Sequence, residues 1–63
     1  MDISRLKRNL GRIVKLGDTE YKLKKGIITL DENNEYYYQA ELQDLTALRS
    51  TSICALKDVD EIN

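Results

Sequence analysis

The side chains able to do chemistry in this sequence are few. There is no histidine, and Cys54 is the only cysteine. That removes an imidazole base, a thiolate–imidazole pair and a Cys/His zinc cluster, so the expectation is a protein that is not an enzyme and holds no cofactor or metal. Gly11, Gly17 and Gly26 stand too far apart to cradle a phosphate in either nucleotide-binding pattern. Asp31-Glu32-Asn33-Asn34-Glu35 offers closely spaced oxygens but lacks the mid-loop glycine and distal glutamate of a calcium loop, and it reads as a solvated hairpin turn. Binding chemistry remains. Arg5, Arg8 and Arg12, with Lys7 and Lys15 nearby, could neutralise phosphates or an acidic protein surface. Tyr37, the middle of the run Tyr36-Tyr37-Tyr38, could anchor a protein interface or stack a base.

The charge that such binding would use is unevenly spread. Residues 1–25 carry eight bases and three acids, a net of +5, whereas residues 26–63 carry two bases and eight acids, a net of -6. A split of this kind either lets the two halves attract each other in the fold or presents a basic patch to a partner. The self-attraction is the simpler expectation, since the chain as a whole is at net -1 and its acidic half would repel a polyanion.

At 63 residues the chain makes one domain, residues 1–63, which buries roughly 60% of the surface its unfolded form exposes. No apolar run is long enough to span a membrane. No secretory segment follows Met1, so a reducing cytoplasm is the expected compartment.

The elements that must position these residues begin with a helix over 3–10. Asp2 suits its N-cap and Gly11 its C-terminal turn, and Ile3, Leu6 and Leu10 fall within about 60° of arc, nearly opposite Arg5, Arg8 and Arg12. Leu6 and Leu10 are thus expected to dock the helix while the arginines face outward. From Arg12 the apolar period becomes two. Arg12–Leu16, a Gly17-Asp18-Thr19 turn and the alternating Glu20–Lys24 read as a hairpin. The apolar positions that resume at Ile27, Ile28 and Leu30 are out of phase with Tyr21 and Leu23, predicting a bulge and bend at Gly26.

After the turn at Asp31–Asn34 a long half-buried strand runs over Glu35–Leu45, with Tyr36, Tyr38, Ala40 and Leu42 expected in the core and Tyr37 on the other, exposed face. A competing helix over Ala40–Arg49 is suggested by Leu42, Leu45 and Leu48, but the tyrosines favour strand. Ser50–Leu56 reads as a further strand, with Cys54 an inert small hydrophobe, and Lys57–Ile62 as a short closing turn.

The fold class expected is mainly β: a short N-terminal helix followed by a strongly bent antiparallel sheet of four or five strands. The helix, the Gly17-Asp18 turn, the bent Glu20–Asp31 strand, the long Tyr36–Leu45 strand and the terminal Leu56-Lys57-Asp58-Val59 turn together resemble the small SH3-like and Sm-like barrels. The Sm-like nucleic-acid motifs are not found here, so the resemblance implies architecture and no particular partner. The functional expectation is an accessory or regulatory module, of the kind phages and mobile elements encode, that binds a larger protein. Weak nucleic-acid binding through the basic helix is the alternative. Arg5, Arg8, Arg12 and Tyr37 are the candidate contact residues, and a long edge strand leaves room for a homodimer.

Overall fold

The computed structural model describes residues 1–62. It contains helix α1 (Ile3–Asn9), strands β1 (Ile13–Leu16), β2 (Thr19–Leu30), β3 (Tyr36–Asp44) and β4 (Thr51–Ala55), a 3-10 turn (Leu56–Asp58) and strand β5 (Val59–Glu61). All strand pairs are antiparallel, in the order β4-β3-β2-β1-β5.

Local chemistry sets each element. The Asp2 carboxylate caps α1 by accepting from the Arg5 amide at 2.9 Å. Gly17, at φ 62°, takes the first central position of the two-residue β1–β2 turn, where a type II′ hairpin requires positive φ. In the β2–β3 turn the Asp31 carboxylate accepts from the Asn33 and Glu35 amides at 2.8 and 2.9 Å. At the end of β3, Asp44 Oδ1 accepts from the amides of Thr46 and Ala47 and from the Thr46 hydroxyl. The Thr46 hydroxyl and these two amides hold the Asp44 carboxyl below its ordinary pKa. This capped turn follows strand directly, so Ala40–Arg49 is not helical: β3 runs to Asp44 and a loop leads to β4.

The sheet is strongly curled, and the connection between its two edge strands requires this. Following the registers, Ala55 pairs with Gln39 and Gln39 with Ile27, whereas Val59 pairs with Leu16 and Leu16 with Thr19. In a flat sheet these ends would lie about 19 Å apart across the strands and about 26 Å apart along them. The link from Ala55 to Val59 is four peptide steps and reaches at most about 15 Å. Among the described residues no ladder joins β4 to β5, so the sheet curls without hydrogen-bonded closure.

Inside the curl lie Leu6, Val14, Leu23, Ala40, Leu42, Leu56 and Val59, with Met1, Ile3, Leu16, Tyr21 and Cys54 packed around them. Leu23 and Leu42 face each other across the β2–β3 ladder and are fully buried. Three expectations about this core are corrected. The helix stops at Asn9, and Leu10 is 47% exposed. The Gly11 amide donates to the Leu23 carbonyl at 2.8 Å and the Arg12 amide to Asn9, turning the chain onto β2 before Leu10 can reach the core. The inner position next to Leu6 goes to Asn9, whose side-chain amide donates to the Arg5 carbonyl and to Glu61 Oε2.

The second correction concerns β2, whose irregularity lies between Leu23 and Lys25, leaving Gly26 paired with Ala40. Gly26 is there because Leu6 packs onto its Cα, where a Cβ would overlap the leucine side chain. The third is that Tyr36 and Tyr38 share the face of Ala40 and Leu42 but lie outside the core.

The first of these corrections changes what mutation of the helix should do. Leu6→Ala is expected to cost about 2–4 kcal/mol, as for a buried leucine. Leu10→Ala should stay within about 0.5 kcal/mol of the parent, as for an exposed position. Urea denaturation midpoints of the two variants check this, and equal losses would contradict the packing described.

Candidate interaction surface

Strands β2 and β3 are twelve and nine residues long, whereas their outer neighbours β1 and β4 have four and five. β1 covers β2 only over Thr19–Lys22, and β4 covers β3 only over Gln39–Gln43. The distal part, Ile28–Leu30 with Tyr36–Tyr38, therefore projects as a two-stranded arm, and the molecule is 38 Å in its longest dimension against 18 Å in its shortest.

Directly paired residues share a face, and beyond the covered Gly26–Ala40 pair the arm pairs Ile28 with Tyr38 and Leu30 with Tyr36. The core face of the sheet thus continues outward as an apolar strip beyond the point where anything covers it. Ile28 is 59% exposed, Leu30 51%, Tyr36 64% and Tyr38 42%. Tyr37 pairs with Thr29 on the opposite face and is exposed, as its alternation implies. At the root of the arm the strip runs into a groove of about 610 Å³ bordered by the start of α1, the edge of β3 and the 3-10 turn, with Met1, Ile3, Tyr37, Tyr38 and Leu56 among its lining residues. Asp2 and Lys57 stand at this groove, and Asp31, Glu32 and Glu35 lie at the tip of the arm.

The basic stripe is arranged differently. Arg5 Nε lies 3.2 Å from Glu61 Oε1 and an Arg8 terminal nitrogen 3.9 Å from the same oxygen, so two of the three arginines turn toward the acidic C-terminal strand. Both are largely exposed, and such pairs contribute about 0–1 kcal/mol. Arg12 is exposed between α1 and β1, where its backbone bridges Asn9 and Leu23. The structure therefore separates the sequence candidates: Arg5, Arg8 and Arg12 lie with the helix, Tyr37 on one face of the arm, and the apolar strip on the other.

Cys54 is half-buried at the margin of the core, opposite Ala40. Burial, and secondarily the Asp58 carboxylate, push its thiol above the ordinary value, so less thiolate is present at neutral pH. Iodoacetamide is expected to alkylate the folded protein much more slowly than the urea-unfolded chain, and Cys54→Ala should leave folding and binding intact. Equal labelling rates would overturn this.

No family model, curated protein or solved structure matches the chain.

Proposed function

We propose that the chain is a non-catalytic interaction module that engages a larger protein partner through the apolar face of the β2–β3 arm. The observation that carries this reading is the strip of Ile28, Leu30, Tyr36 and Tyr38, four large apolar side chains exposed side by side on one face. A two-stranded ribbon is only marginally stable alone, and contiguous apolar surface of this kind marks interaction sites on small soluble domains. Tyrosine anchors are enriched among the residues that dominate interface energies.

The lack of histidine and the raised pKa of the single thiol support a role without covalent or acid–base chemistry. The lone cysteine suits a reducing cytoplasm, and no helix among the described residues is long and apolar enough to cross a membrane. We read the curled sheet, with its N-terminal helix and the 3-10 link between edge strands, as an SH3-like small barrel. That architecture serves many partners and does not choose among them.

Nucleic-acid binding through Arg5, Arg8 and Arg12 is the second reading, favoured by the +5 charge of residues 1–25 and weakened by the turn of Arg5 and Arg8 toward Glu61. The two separate in an affinity capture from the native cell, run with the parent protein, a Leu30→Ser/Tyr36→Ser variant and an Arg5→Ala/Arg8→Ala/Arg12→Ala variant. The arm variant should lose the captured protein at unchanged Tm, and the arginine variant should keep it. Binding of bulk RNA or duplex DNA that falls steeply with salt and disappears in the arginine variant would establish the nucleic-acid reading instead.

A further inference from the structure

We propose that the partner enters as an extended apolar peptide segment that adds a strand to the open edge of β3 at Tyr36–Tyr38, with its alternate side chains seated in the groove beside Met1, Ile3 and Leu56. This rests on the interaction-module reading above and specifies its mode.

The hydrogen-bonding pattern of the arm carries it. The Asp31 amide donates to the Glu35 carbonyl, and antiparallel pairs alternate between bonded and non-bonded, so Tyr37 and Gln39 turn their backbone groups toward β2. Tyr36 and Tyr38 turn theirs to the outer edge. The bond from the Asp44 amide to the Ser50 carbonyl fixes the same phase independently, because it places the even-numbered positions of β3 toward β4.

The β4 ladder ends at the Gln39–Ala55 pair, and there the chain leaves the sheet through the 3-10 turn. The Leu56 carbonyl, which would otherwise continue the ladder to the Tyr38 amide, accepts instead from the Val59 amide, closing the 3-10 turn, and from the Met1 amino group at 3.2 Å. The Tyr36 N–H and C=O and the Tyr38 N–H are thus left without a partner among the described residues. Open strand edges of this kind are templates for an added strand.

A strand placed there would run in line with β4. Its residues on the core side would meet Tyr38 and the groove of about 610 Å³. The acidic tip formed by Asp31, Glu32 and Glu35 selects a segment with a basic residue at the end lying toward it. A second copy of this chain fits less well. The free edge is three residues long, and a standard interface between folded proteins engages about 20–30 residues a side.

The test uses a displayed library of random dodecapeptides selected against the full chain, followed by the strongest binder as a synthetic peptide. Enriched sequences should alternate apolar and polar positions and carry a lysine or arginine at one end. The bound peptide should slow hydrogen exchange at the Tyr36 and Tyr38 amides, and N-methylation of the two peptide amides facing β3 should weaken it about tenfold or more. Failure to enrich any peptide, apolar spacing of three and four residues, full retention of affinity after N-methylation, or protection at Ile28 and Leu30 instead would overturn strand addition.

If the peptide still depends on Leu30 and Tyr36 in those last cases, the interaction-module reading survives without this mode. If Leu30→Ser/Tyr36→Ser also leaves binding unchanged, both fall. Concentration-dependent dimerisation by sedimentation, with the same two amides protected in the absence of peptide, would show that a second copy is the occupant and would overturn the choice of a peptide partner.

Discussion

Leu42→Ala is expected to leave a large part of the population unfolded in the absence of denaturant. Leu42 and its cross-strand partner Leu23 are fully buried and form the centre of the core, where β2 and β3 are covered from inside the curl. Truncating a leucine at such a site costs about 2–5 kcal/mol, the higher values applying where neighbours cannot collapse into the space. A ladder on both sides fixes β3 at this point, with Leu23 opposite on one strand and Ser52 on the other. A 63-residue domain has a total stability of roughly 3–9 kcal/mol, so the loss consumes much of it. Circular dichroism against urea should show a strongly lowered midpoint for Leu42→Ala and for Leu23→Ala. Leu48→Ala, at an exposed loop position, should leave the midpoint unchanged. Comparable losses at Leu48 and Leu42 would mean that the core lies elsewhere.

The second large effect is expected at a glycine. A Cβ at Gly26 would overlap the Leu6 side chain, and Leu6 is itself buried. Gly26→Ala should therefore cost about 1–3 kcal/mol through overpacking, although alanine is intrinsically favoured over glycine in a strand by roughly 0.5–1 kcal/mol. In a Leu6→Ala background the obstruction is gone and the intrinsic preference decides, so the same substitution should become neutral or stabilising. The coupling in this double-mutant cycle isolates the contact that holds α1 on the sheet. Additive effects would show that helix and strand do not meet there.

Much of this architecture was legible in the sequence. The capping aspartate, the change of apolar period at Arg12, the Gly17-Asp18 turn and the alternation through Ala40 and Leu42 each report local geometry, and local geometry is what a sequence encodes most directly. The alternation even placed Tyr36, Tyr38, Ala40 and Leu42 on one face and Tyr37 on the other.

What alternation does not encode is how far the covering elements reach. Tyr36 and Tyr38 have the phase of core residues, but β1 and β4 are too short to enclose the arm, and that depends on strand length and sheet curl rather than on residue type. The exposed strip escapes residue patterning for the same reason. A signal was nevertheless present, since Ile27–Tyr38 forms a hairpin extending beyond the reach of five-residue neighbours.

Helical phase puts Leu10 on the docking face, but Leu10 is the C-cap, where the backbone leaves the helix and the phase no longer applies. Glycine suits bulges and so Gly26 reads as one, whereas this glycine answers to the approach of Leu6. The arginine stripe lay where helical phase put it, and its turn toward Glu61 required β5 to pair with β1, a contact between the two ends of the sequence.

We propose that this protein meets its partner through the exposed apolar face of the β2–β3 arm. Hydrogen–deuterium exchange of the chain, free and in complex with the protein captured from its native cell, tests it most directly. Slowed exchange concentrated at residues 28–30 and 36–38, with residues 5–12 unchanged, is the predicted result. Protection confined to residues 5–12, with the arm exchanging as in the free protein, would contradict it.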